Sequence, residues 1–363
     1  MIDYLSPNAY LGKSDAESIQ NAIDAALANG TRRVRIPRVN ERTGKECWVI
    51  DETIRLPSDI EILFDNAHLV LADGCFCNMF VARGGESADL ALKNITLRGF
   101  GNAVLDGGHY NGLSEKTHMK DGYPPIWNNN LILFSNVEGF EIRRIYACEQ
   151  RWWAFCFLYC QNGRISDIEF CANDQGISED GTLYRGLKRA KYKEACVKNA
   201  DGIDLRVGCH DIVIENITGF IEDDTVALTG LVGRVEKAFS VEGLPSDIAF
   251  VEIRNIVSAS FCTNVRLLNQ GDVKLHDIVI DGVYDVARES VYADHGLYAV
   301  RVGDTRLYGT RHATKDETYN IAIRNVRGAG DYVISLAGAM GNLSMYGIES
   351  SHGAKMLLDN RTE

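Results

Sequence analysis

Five carboxylates, Asp201, Asp204, Glu222, Asp223 and Asp224, fall in two short segments of the sequence, Asn199–Asp204 (NADGID) and Glu222–Leu228 (EDDTVAL). Carboxylates held a few ångströms apart repel each other, and at least one of them keeps its proton well above the ordinary range. A protonated acid beside an ionised base is the pair that general acid–base catalysis requires. Aspartates also cap turns through side-chain to backbone hydrogen bonds, which explains isolated acids better than five in close succession. A metal centre is not expected, because Cys75-x-Cys77 and Cys156-x3-Cys160 lack a second pair of ligands at a suitable offset.

The two acidic segments can meet only if the chain brings them onto neighbouring elements, and a recurring template does so. Leu92–Leu97, Gly139–Ile145, Arg164–Phe170, His210–Ile217, His276–Val283 and Tyr319–Val326 each carry a polar turn, two alternating aliphatics, a polar pair and a further aliphatic. Repetition of this kind marks a solenoid. Few of the runs are joined by the two-residue Asn-Gly or Asp-Gly turns that a sandwich of hairpins needs. The reading is an all-β fold, one right-handed parallel β-helix occupying residues 1–363 as a single domain. One segment, residues 14–29, has a helical period, with Ile19, Ile23, Ala26 and Leu27 on one face, a Ser14-x-x-Glu17 capping box and Gly30 as the stop. It is expected to cover the open first coil. Irregular spacing places inserted loops at 106–125 and 173–198, the latter carrying Arg185, Lys188, Arg189, Lys191, Lys193 and Lys198 in an otherwise acidic chain.

Strand alternation then assigns directions. In Ile203–Val207 the aliphatics point inward and Asp204 and Arg206 outward; Val226 and Leu228 point inward and Asp223 shares the outward parity. Asp201 and Asp224 stand at strand entrances, where the turn aims the side chain. Arg266 and Arg301 are outward by the same rule, so an anionic or polyhydroxy sugar ring could lie across them. Of Trp152 and Trp153 one must face out, and Trp152 is the expected stacking platform for a pyranose.

Composition narrows the partners. The chain has 363 residues, and 38 Lys+Arg against 50 Asp+Glu give a formal net charge of −12, which disfavours nucleic acid and anionic membranes. No stretch resembles a secretory signal or a membrane span, so a cytoplasmic protein with ten reduced cysteines is expected.

NADGID at 199–204 and EDDTVALTG at 222–230 resemble the NTDG-x-D and paired-aspartate segments of the polygalacturonases, glycoside hydrolase family 28 of the pectin-lyase-like β-helix superfamily. AVLDGG at 103–108, residues 124–145 and residues 151–170 resemble successive coils of that family. The resemblance implies that Asp201 and Asp224 activate water and that Asp223 protonates the leaving oxygen. It adds Asn199, Asp204, Arg266 and Arg301 to the substrate-binding set, beside Trp152. The family's Gly-His-Gly segment has no counterpart in Ser260–Arg266, and Asp294-His-Gly296 falls too far along the chain; its Arg-Ile-Lys segment keeps only the arginine, in Asn264–Leu268 or Ala299–Gly303. The implied activity is inverting hydrolysis of a pectin-derived oligosaccharide containing galacturonate or a related sugar, with no cofactor. A β-helix polysaccharide lyase and a noncatalytic carbohydrate-binding β-helix are the alternatives.

Overall fold

The computed structural model describes residues 4–108, 128–150, 152–172, 200–271, 273–290, 293, 296–306 and 311–362. Both expected insertions therefore lie almost wholly outside the described residues, as does Asn199. The chain winds as a right-handed parallel β-helix. Every pairing between named strands is parallel, each strand pairing with those one coil before and one coil after.

The repeated template is what makes the coils stack in register. Ile212, Val251, Ile278 and Ile321 occupy one column, and Ile214, Ile253, Ile280 and Ile323 the next inward position. Each of these eight side chains is at most 1% exposed. β-branched side chains suit this arrangement because they pack on pleated surfaces with little loss of rotamer freedom. The polar pair that follows performs the bend. Asn216 and Asn255 have φ of 56° and 51°, a left-handed conformation that asparagine tolerates better than most residues. Stacked in register, these side chains hydrogen-bond along the column: Asn255 Nδ2 donates to Asn216 Oδ1 at 2.8 Å, and Asn216 Nδ2 to Asp167 Oδ1 at 2.9 Å. The turn residue of each rung thus also bonds the rung beneath.

The helix expected at 14–29 forms as α1, Asp15–Ala28, with the Ser14 side chain accepting from the Glu17 amide. Ile19, Ile23 and Ala26 are fully buried against the first coils. The helix is fixed there by Asp15, 2% exposed, whose carboxylate accepts from Arg42 Nε at 2.9 Å and from the Val49 amide at 2.8 Å. Sequence patterning identifies the cap but not this anchor.

A second apolar cluster lies outside the helix bore. Val81, Leu133, Cys156, Trp153, Tyr159 and Val207 pack with Phe239 and Val241, which belong to the segment between strands Asp224–Gly230 and Ile248–Ser260. That segment is an insertion the sequence pattern did not reveal, and it buries part of the outward face. Cys156 sits in the outward column below Asp204. All nine described cysteines are free thiols.

Replacing Asp15 by Ala should cost about 1–3 kcal/mol, since it leaves the Val49 amide and Arg42 without their carboxylate partner. Chemical denaturation measures this, and a midpoint unchanged from wild type would show that α1 is held by its apolar face alone.

Candidate active site

The register sets the site. Cys156, Asp204, Ala227, Arg266, Arg301 and Ser335 form one continuous outward column across successive coils. The column is direct evidence for the parity assigned to Asp204, Arg266 and Arg301. One turn earlier along the strands, Trp153 pairs with Asp201, and Asp224 with Thr263. The two acidic segments meet there: Asp201 Oδ1 accepts from the Asp224 amide at 3.2 Å, and within the first segment Asp201 and Asp204 hydrogen-bond through their side chains.

These acids are withdrawn from water. Asp201, Asp204 and Asp224 are 8%, 1% and 6% exposed, whereas Asp223 is half-buried. Burial first, and then the charges of Asp204, Asp223 and Asp224, hold Asp201 well above the ordinary carboxylate range. Burial likewise pushes Asp204 well up, against the opposing pull of Arg206. Asp224 is raised to about 7 by burial and by Asp223, with Arg266 pulling the other way. Asp204 Oδ2 and Asp224 Oδ1 are buried without a hydrogen-bond partner. A buried acid left partly unsatisfied is costly, and it belongs where something else completes it.

Three features of the site were not visible in the sequence. Arg206, expected to point outward, is 7% exposed, paired with Glu236 at 2.6 Å and lying 4.1 Å over the Trp153 ring. Glu236 comes from the unforeseen insertion. Asp304 accepts from Arg266 at 2.5 Å and lies 3.5 Å from Arg301. Cys262, on the coil where a histidine was sought, hydrogen-bonds the Asp223 side chain, and Ser260 Oγ donates to the Asp223 carbonyl. The i to i+3 spacing of Arg301 and Asp304 was the one available signal. Pairings across coils, such as Arg206 with Glu236, leave no trace in local spacing.

Trp152 is 7% exposed, as is Trp153, so neither offers an open stacking face; the outward cluster contains Trp153. The strand Thr263–Asn269 pairs with Asp224–Gly230, and Tyr298–Val302 follows it. Tyr298–Val302 is thus on the second coil after the aspartates, and Asp294 and His295 lie outside the described residues. Among the described residues no three His, Cys, Asp or Glu side chains are arranged to hold a metal ion.

The raised pKa of Asp224 has a consequence for stability. A carboxyl whose folded pKa exceeds its unfolded value favours the folded state at low pH, and this contribution is lost as pH rises from about 4 towards 7. Asp224→Asn, neutral at every pH, should therefore gain on wild type in thermal midpoint as pH is raised from 5 to 8. A difference that is flat or shrinks over that range would mean that Arg266 fully compensates the charge.

No protein-family model matches the chain, and no curated relative matches it either. Solved structures do. A hyperthermoactive exopolygalacturonase from Thermotoga maritima superposes with a TM-score of 0.54 at 12% identity, covering 95% of this chain and 92% of that one. An endo-xylogalacturonan hydrolase from Aspergillus tubingensis gives 0.54 at 14% identity over 99% and 97% of the two chains. A family GH82 iota-carrageenase from A. fortis gives 0.60 at 12% identity, with 97% and 87% covered. At these identities the likeness is one of architecture, and it establishes that the chain shares its parallel β-helix fold with these structures.

Proposed function

We propose that the protein is an inverting glycoside hydrolase acting on an oligosaccharide, pectin-derived or related, across the outward column of the β-helix. The observation that carries the reading is the difference within one cluster: Asp201, Asp204 and Asp224 are buried while Asp223 is half-buried. Asp223 is thus the carboxyl best placed to meet an oxygen arriving from solvent, with the Cys262 thiol and the Ser260 hydroxyl fixing its residue from behind. In this account it protonates the glycosidic oxygen as the bond to the anomeric carbon breaks.

Asp201 and Asp224 lie deeper, and whichever of the coupled pair is ionised takes the proton of the attacking water. The raised pKa of Asp224, about 7, lets it release a proton near neutrality and then act as a base. Asp201 and Asp204 share a hydrogen bond, so charge formed on either is spread over the pair. Single displacement is favoured over a glycosyl-enzyme because the acid Asp223 and the base Asp201 come from neighbouring coils, about 4.8 Å apart, and differ by one position along the strands. Inverting enzymes keep roughly 6.5–9.5 Å between their carboxyls to admit water. Structural neighbours named as hydrolases of galacturonans and carrageenan add support for a sugar substrate.

Asp223→Asn should fold normally and lose about 10² to 10⁴ in turnover. Proton NMR of the first product from wild type should show the anomer opposite to that of the substrate. Full activity in Asp223→Asn would move the acid role elsewhere in the cluster, and retention would rule out single displacement.

A further inference from the structure

An arginine that recognises a sugar carboxylate must present an open guanidinium edge, because its affinity comes from two parallel N–H···O bonds to one anion. The two arginines of the outward column are engaged with an acid of this chain. Asp304 Oδ2 takes Arg266 at 2.5 Å and lies 3.5 Å from Arg301. Arg266 also lies 3.8 Å from Asp224. The Asp304 side chain has no exposed surface, and the two arginine side chains retain only 9% and 17%. Its second oxygen accepts from the Thr305 amide at 2.6 Å, so the carboxylate is held at both oxygens and is not free to swing aside.

We propose that Asp304 sets the substrate class of this site, occupying the place of a sugar carboxylate so that the ring bound beside Arg266 and Arg301 is uncharged. The inference rests on the glycosidase reading and refines its sugar. A uronate entering here would bring a charge to a dry cluster in which burial already disfavours ionised carboxyls, against arginines that Asp304 has largely neutralised. A neutral pyranose meets no such penalty. Its hydroxyls both donate and accept, which suits the half-buried carboxyl of Asp223.

The test uses paired oligosaccharides in the galacto, gluco and manno series, each pair being a uronate and its carboxyl-reduced counterpart. Hydrolysis and calorimetric binding are measured for wild type and for Asp304→Asn, with thermal melting as the check on folding. Wild type should prefer the neutral member of its best pair by about tenfold or more, and Asp304→Asn should shift that ratio towards the uronate by a similar factor. A wild type that prefers the uronate overturns the inference, as does a folded Asp304→Asn with an unchanged ratio. Should Asp304→Asn not fold, the wild-type ratio decides alone. If no member of any pair is bound or cleaved, the glycosidase reading falls and this inference with it, an outcome distinct from a preference for uronates.

Discussion

In-register stacking of parallel coils is the constraint on which everything else rests. Each backbone rung is hydrogen-bonded to the next at a fixed offset, so a residue's position within its own coil decides which residues of other coils it touches. The isoleucine and valine columns of the bore depend on this, and so do the asparagines that bend each coil. The same rule that aligns Ile214 with Ile253 aligns Asp204 with Ala227 and Arg266. The apolar core and the acidic site are therefore two faces of one register, and a slip of one residue would dismantle both.

Such rigidity allows a cluster of like charges to persist. Asp201, Asp204 and Asp224 are buried near one another, and burial is the largest influence on each. A flexible site would relax by turning one carboxyl towards water. Here Asp201 is tied to the Asp224 amide, Arg206 is fixed between Glu236 and Trp153, and Arg266 is held by Asp304. Burial instead raises the pKa values of the three acids, which favours protonated acids held side by side in a dry setting.

Much of this was legible in the sequence because the period of a strand is two. Alternation alone placed Asp204, Arg266 and Arg301 on one face, and the repeated aliphatic template identified the β-helix and its capping helix. What stayed hidden depends on contacts between coils or on insertions without a template. Glu236 and Phe239 arrive on a segment with no repeat signature, yet they bury Arg206 and Cys156. Asp304 lies just beyond its strand, where parity says nothing about direction. Trp152 illustrates the opposite limit: with φ of 49° it departs from strand geometry, so alternation does not govern its side chain.

The central claim is that this carboxyl cluster retains protons in solution where ordinary aspartates have lost theirs. Carbon-13 NMR of protein labelled at the aspartate carboxyls follows each titration directly, with Asp201→Asn, Asp204→Asn and Asp224→Asn supplying the assignments. At about pH 6, where exposed aspartates are ionised, the resonances of Asp201, Asp204 and Asp224 should still report protonated acid, that of Asp224 moving as pH passes about 7. If all three are already ionised at about pH 5, burial does not hold protons on the cluster and the account of the site is wrong.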